Sequence, residues 1–232
     1  MNISFDDSAH VFVDRSEAGR ELGAWFRQRP PMGELIILGL PRGGVPVARE
    51  LADTLDAPLD VLLVRKLGAP FNPEFAAGAV AAGGIIVYNA DAFTARTLEK
   101  RDLEPIIERE KAELARREQV YRAGRPPLAI EGKTVILVDD GIATGSTMQA
   151  AVDAARKMQA GQVIVAVPTA SRQALDELER SADLVVALCA PEPYIAVGRW
   201  YKYFPQIQDR EVVELLSAYE PRHAGYEVSG KS

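Results

Sequence analysis

TVILVDDGIATGSTMQAA, residues 134–151, places a strand, an acid pair and a helix start in one run. Val135, Ile136, Leu137 and Val138 follow one another without a polar break, which fits a strand covered on both faces in a parallel sheet. Asp139 and Asp140 then stand at the strand's carboxyl end. Gly141-Ile142-Ala143-Thr144-Gly145 makes a short loop, and Ser146-Thr147 opens a helical pattern. Ligands of open α/β sheets sit just beyond the carboxyl ends of the strands. Unpaired N–H groups at a helix start favour an anion, and Thr144, Ser146 and Thr147 add hydroxyls at the same point. Acids so close would repel a bare phosphate. They fit if they accept hydrogen bonds from sugar hydroxyls, or hold Mg²⁺, while the phosphate lies one turn further on. A ligand of that description is a sugar phosphate.

Upstream, residues 35–40 (LIILGL) read as a second buried strand, followed by Pro41-Arg42-Gly43-Gly44 and a helix over 45–55. Glycines directly after a strand let the backbone approach a ligand closely, and Arg42 adds a permanent cation with a donor fork suited to phosphate. Residues 59–64 read as the next strand, ending in Arg65-Lys66-Leu67-Gly68, two cations expected to reach the same crevice as Arg42. The segment 69–84 (APFNPEFAAGAVAAGG) has no helical stripe, and 85–88 resume a strand pattern. A long irregular segment in a compact domain reads as a lid. Downstream, a helix over 146–160, a strand over 163–167, a helix over 171–180 and a strand over 184–188 complete the alternation. Strands alternating with helices of this length give right-handed crossovers. The fold class expected is α/β, a parallel twisted sheet flanked by helices, with a flexible hairpin lid at 67–90 and a small C-terminal hood at 190–204.

Length and composition allow one domain over 1–220. The 232 residues are 47% hydrophobic and 26% charged, the balance of an ordinary globule. A net charge of −6 and a pI near 5.1 argue against a broad nucleic-acid-binding face. A single cysteine, Cys189, rules out an intrachain disulfide, fits a reducing cytoplasm, and reads as a buried small hydrophobe. With only His10 and His223, a histidine-rich metal site is excluded, whereas an oxygen-bound Mg²⁺ is not. The opening MNISFDDSAH has no secretion-signal pattern and no apolar run reaches membrane-spanning length, so a soluble cytoplasmic protein is expected. Residues 14–27 form a helix capped by Asp14, expected on the sheet's edge and without a chemical role. Residues 91–122 form a densely charged helical insertion, kinked or restarted at Pro105. It is a solvated element packed by one stripe, or an oligomer contact such as a homodimer interface. Residues 221–232 read as a frayed tail.

VILVDDGIATGSTM resembles the phosphoribosyl-pyrophosphate (PRPP) signature of the type I phosphoribosyltransferases. Gly141 stands where the usual pattern has an aliphatic residue. The resemblance implies that Asp139 and Asp140 hold the ribose 2′- and 3′-hydroxyls, and Mg²⁺ directly or through water. It implies that Ala143, Thr144, Gly145, Ser146 and Thr147 hold the 5′-phosphate. GLPRGG is similar to the family's pyrophosphate loop, which makes Arg42, Gly43 and Gly44, with Arg65 and Lys66, ligands of PRPP. It also implies a cis peptide at Pro41–Arg42, with Leu40–Pro41 as the competitor. VLLVRKLGAPFNPEF looks like the lid of adenine-type members, with Glu74-Phe75 in the place of a proton-handling acid. The hood residues APEPYIAVGRWYKYF, 190–204, resemble the stretch that meets the base, so Tyr194, Val197, Trp200 and Tyr201 are base-site candidates.

What the family implies is transfer of 5-phosphoribose from PRPP to a nitrogen base, with release of pyrophosphate. Asp139, Asp140, Lys66 and Glu74 are then the residues expected to act in catalysis. The phosphate loop has Ala143 where 6-oxopurine enzymes carry an acid, which points to a purine handled through Glu74. The alternative is a PRPP- or nucleotide-sensing regulator that keeps the fold and binds without turnover. A dinucleotide-binding oxidoreductase is excluded, because no GxGxxG joins the first strand to its helix.

Overall fold

The computed structural model describes residues 3–6, 10–89, 93 and 98–219, and their side chains except those of Ile3, Asp6 and residues 72–76. In chain order these form β1 (Ile3–Asp6), α1 (Arg15–Gln28), β2 (Leu35–Gly39), α2 (Gly44–Leu55), β3 (Leu59–Val61), β4 (Val64–Ala69), β5 (Asn72–Ala81), β6 (Ile85–Tyr88) and α3 (Lys100–Arg122). There follow β7 (Thr134–Val138), α4 (Ser146–Lys157), β8 (Gln162–Thr169), α5 (Arg172–Leu178), β9 (Leu184–Cys189) and α6 (Asp209–Ser217). Most of 91–97, and the tail from 220 onward, lie outside the described residues.

Six strands make one parallel sheet in the order β1-β9-β8-β7-β2-β3. The apolar runs LIILG, TVILV and QVIVAVPT occupy its centre because both faces are covered there; all five residues of β7 are buried. From β2 the chain steps outward through α2 to β3, and from β7 it steps the other way through α4 to β8 and through α5 to β9. Strand order therefore reverses between β2 and β7. Right-handed crossovers send α2 and α4 to opposite faces, and a crevice opens at that point beyond the carboxyl ends.

Four details depart from the sequence pattern. A short edge strand, β1, pairs with β9 where no strand is expected. The run 59–64 is divided, with β3 in the main sheet and β4 in a separate antiparallel sheet of order β4-β5-β6. The expected hairpin at the lid is present as the antiparallel pair β4-β5, and β6 extends it to three strands. Leu67, Ala69, Ala77 and Val80 from it join the main core. Helix α1 packs its glycine face on α2 instead of on the sheet's edge. A Cβ on Gly19 would lie 2.6 Å from the Val47 carbonyl oxygen, and one on Gly23 would lie 2.5 Å from Thr54 Oγ1. Helix α3 runs as one element through Pro105. The proline forfeits one hydrogen bond near the amino end, and buried Leu103, Ile107, Leu114 and Tyr121 hold the rest.

Candidate active site

Two loops meet at the crevice, residues 40–43 after β2 and residues 139–145 after β7. The Leu40 amide donates to the Val138 carbonyl at 2.8 Å, which ties the two strand ends together. The peptide Pro41–Arg42 is cis, as the resemblance implies. Gly43 and Gly44 then pass directly over the acids. A Cβ on Gly43 would fall 2.0 Å from Asp140 Oδ2, and one on Gly44 would fall 2.4 Å from the Val138 carbonyl oxygen. The sequence pattern assigned these glycines to ligand approach. The structure gives them a second reason, the packing of one loop on the other.

Asp139 Oδ1 accepts the Asp140 amide at 2.8 Å. Burial, and then the charge of Asp140, push the Asp139 carboxyl well above the ordinary aspartate range. Burial also raises Asp140, and a cation beside it works the other way. That cation is Arg15, the first residue of α1. Its Nε donates to Asp140 Oδ2 at 2.8 Å, its Nη1 donates to the Pro205 carbonyl at 2.8 Å, and its guanidinium lies 3.7 Å from the Phe204 ring centroid. The Arg15 and Asp140 side chains are only 8% and 13% exposed. The sequence pattern missed Arg15. A signal was there, since a cation in the first turn opposes the helix dipole and calls for a carboxylate partner.

Gly145 takes φ +75°, a conformation suited to glycine, and turns the loop into α4. The first turn of α4 has no side-chain cap and no acid, so its amides face outward beside exposed Ala143, Thr144, Ser146 and Thr147. The loop is anchored from behind: the Ile142 amide donates to the Thr169 carbonyl, and Ser171 Oγ donates to the Ala143 carbonyl. The lid sheet leans over it, and a cavity of about 420 Å³ lies between Gly78, Ala79, Tyr88 and Asn89 on one side and Thr144 and Ser146 on the other.

The expected cations separate. Arg42 approaches Asp209 of α6 at 3.7 Å, and Arg65 Nε donates to Glu110 of α3 at 2.7 Å. Arg65 also lines a cavity of about 20 Å³ with Pro41, Thr147 and Arg117. Lys66, the next residue on β4, is exposed and points to the other face. Adjacent strand positions alternate between faces, so β4 turns these two cations apart. Glu74 lies on β5 with its side chain outside the described residues.

The hood candidates divide as well. Tyr201 is buried, with its ring between Phe12 and Phe204, and its hydroxyl donates to the Asp140 carbonyl at 2.5 Å. Burial pushes that hydroxyl far above the ordinary tyrosine range. The Tyr194 and Trp200 ring centroids are 6.1 Å apart. Tyr194 edges an open groove of about 510 Å³ with Ser171, Arg172, Gln173, Glu192 and Pro193. Val197 lies on Gly141: a Cβ there would be 2.6 Å from Val197 Cγ1. The unusual glycine of the motif thus makes room for the hood. No group of three or more histidine, cysteine or acidic side chains gathers among the described residues in a way that could hold a metal by itself. No helix among them is long and apolar enough to cross a membrane.

Comparison with known proteins agrees with this geometry. Two curated proteins of Mycobacterium tuberculosis, MT0597 of strain CDC 1551 / Oshkosh and Rv0571c of strain ATCC 25618 / H37Rv, are provisionally named phosphoribosyl transferases. Each is 43% identical to the chain over 206 residues. The match covers 89% of this chain and 46% of theirs, so the chain spans about half the length of these relatives. The crystal structure of TT1426 from Thermus thermophilus superposes with a TM-score of 0.81 at 42% identity, covering 89% of this chain and 97% of that one. The family model described as the phosphoribosyl transferase domain matches residues 16–190, from the first turn of α1 to the end of β9, and the chain belongs to that family.

Proposed function

We propose that this domain transfers 5-phosphoribose from PRPP to a nitrogen base and releases pyrophosphate. One observation carries the reading: the acid pair and the uncapped start of α4 meet the Arg42-Gly43-Gly44 loop at the switch point of the sheet, in a member of this family. Asp139 and Asp140 would accept hydrogen bonds from the ribose hydroxyls and orient the sugar while its C1 becomes oxocarbenium-like. The amides and hydroxyls of 143–147 would hold the 5′-phosphate. Arg42, Arg65 and the Gly43-Gly44 amides would stabilise charge on the leaving pyrophosphate. The C1–oxygen bond to pyrophosphate breaks, a bond from C1 to the base nitrogen forms, and that nitrogen gives up its proton.

The two adjacent, desolvated carboxylates suit Mg²⁺, a hard cation that binds through one or two carboxylates and completes its shell with water and substrate oxygens. Bound there, it would neutralise charge on PRPP. A purine is the favoured base, because Ala143 leaves the phosphate loop without an acid and Glu74, on lid strand β5, would take the base's proton. Tyr194 and Trp200 would meet the base.

Incubation with PRPP, Mg²⁺ and a panel of purines and pyrimidines, followed by pyrophosphate detection, tests the reading. Release with a purine is expected. Binding of PRPP without release for any base would favour a sensor instead, a reading that the engagement of Arg42 and Arg65 by carboxylates makes worth testing. Glu74→Gln should abolish turnover while PRPP affinity is retained, and an unchanged rate removes Glu74 from the mechanism.

A further inference from the structure

We infer that Arg15 is a positioning residue that couples the PRPP site to the hood. The inference rests on the proposed role of Asp140 as a ribose-binding acid. Arg15 lies just before the stretch matched by the family model, and its hood contacts lie after it.

Arg15 uses each part of its guanidinium differently. Nε holds Asp140 Oδ2, Nη1 holds the Pro205 carbonyl, and the flat face covers Phe204. Gly43 packs against the same carboxylate, where a Cβ would fall 2.0 Å from Oδ2. Arg15 and Gly43 together therefore set the orientation of this carboxylate. Tyr201 makes a second link from the hood to the same residue, through the Asp140 carbonyl. The hood cannot shift as a body without moving Arg15 or Tyr201, and through them Asp140. Occupancy of the ribose site and placement of the base-binding stretch are thereby joined through one buried side chain. A lysine could keep a charge near Asp140, but its single ammonium cannot also hold Pro205 and stack on Phe204.

The test uses the full chain with Trp25→Phe, which leaves Trp200 as the sole tryptophan and a reporter of the hood. PRPP with Mg²⁺ is titrated by calorimetry and by Trp200 emission, with thermal midpoints recorded for every variant. Arg15→Gln is expected to weaken PRPP binding by at least about tenfold, the scale of losing a charge-assisted hydrogen bond to the binding acid. Combined with Asp140→Asn it should be no worse than the poorer single variant. Arg15→Lys is expected to recover most of the affinity but not the PRPP-induced change in Trp200 emission, and Phe204→Leu to lose part of that change with affinity kept. These two variants decide the matter if Arg15→Gln does not fold. Full affinity and an intact emission response in Arg15→Gln or Arg15→Lys, or losses additive with Asp140→Asn, would overturn the inference. Absence of PRPP binding by the unmutated chain would remove the proposed function, and the inference with it. Equal PRPP affinity in the unmutated chain and in Arg15→Gln would remove the inference alone.

Discussion

Gly141 separates what a motif shows from what it conceals. In VDDGIATGST it is visible as the one position out of pattern, yet its cause lies at Val197 in the hood, whose Cγ1 occupies the space a side chain would need. Sequence patterns record local order well. They do not record which distant residue fills a gap. For the same reason the placing of Asp139, Asp140 and the loop 141–145 at one strand end was legible, each being defined by neighbours in the chain, while Arg15 was not, because its partners Asp140 and Pro205 lie far along the sequence. A direct check follows at Gly141. A new Cβ 2.6 Å from Val197 Cγ1 and 3.0 Å from Thr169 Cγ2 overpacks the contact, so Gly141→Ala should cost roughly 1–3 kcal/mol in denaturant unfolding. In a Val197→Ala background the penalty should shrink, because the nearest clashing atom is gone. Equal penalties in both backgrounds would show that the hood does not sit on this loop.

Helix α3 carries the larger misreading among the elements. Its string of charges looked like a solvated face with one apolar stripe, but Glu110 and Arg122 are buried. Asp60 accepts Arg122 Nε at 3.2 and 3.1 Å, while Arg122 Nη2 donates to the Val61 carbonyl and Nη1 to Glu118. A charge whose partner comes from another strand is indistinguishable in sequence from one that faces water. Removing one member of a buried pair leaves the other uncompensated, a loss of about 3–5 kcal/mol. Asp60→Ala should fall toward the low end of that range, because Glu118 and Val61 still hold Arg122. The exposed pair Arg210–Glu214 should be nearly silent by the same unfolding measurement. The contact of α3 with α6 adds a pH signature. Tyr121 is buried and donates to Asp209 at 2.7 Å. Burial first, and that hydrogen bond second, raise it from 10.0 to about 12. The folded state then holds the proton more tightly than the unfolded chain. Its contribution is complete below pH 10 and is lost as pH rises toward about 12. Tyr121→Phe should flatten part of that alkaline decline, and an unchanged slope would show that this hydroxyl does not contribute.

Across the whole molecule, the fold was readable where strands are buried on both faces and helices alternate with them, which fixes the parallel sheet and its switch point. It was unreadable at the periphery. Four residues suffice for β1, and the alanine- and glycine-rich β5 carries too little side-chain contrast to display alternation. The periphery also contains a second apolar cluster, apart from the main core, made by Phe12, Ala18, Cys189 and Tyr201. Around it the chain before α1 lies parallel to the hood: the Phe12 amide donates to the Trp200 carbonyl, the Lys202 amide to Phe12, and the Tyr203 amide to Val13. A cluster of four residues closed by three backbone bonds has far less burial behind it than the sheet, so it should open on its own below the global unfolding free energy. Phe12→Ala empties its centre, a loss of about 3–5 kcal/mol for a buried aromatic. Hydrogen exchange should then show lost protection at the Lys202 and Tyr203 amides, while Ile136 and Leu137 in β7 keep theirs. Uniform loss across β7 and the hood would mean that the two ends of the chain and the central sheet form one cooperative unit. The selective pattern would identify the hood as a separately opening element, seated on Asp140 through Tyr201 and Arg15.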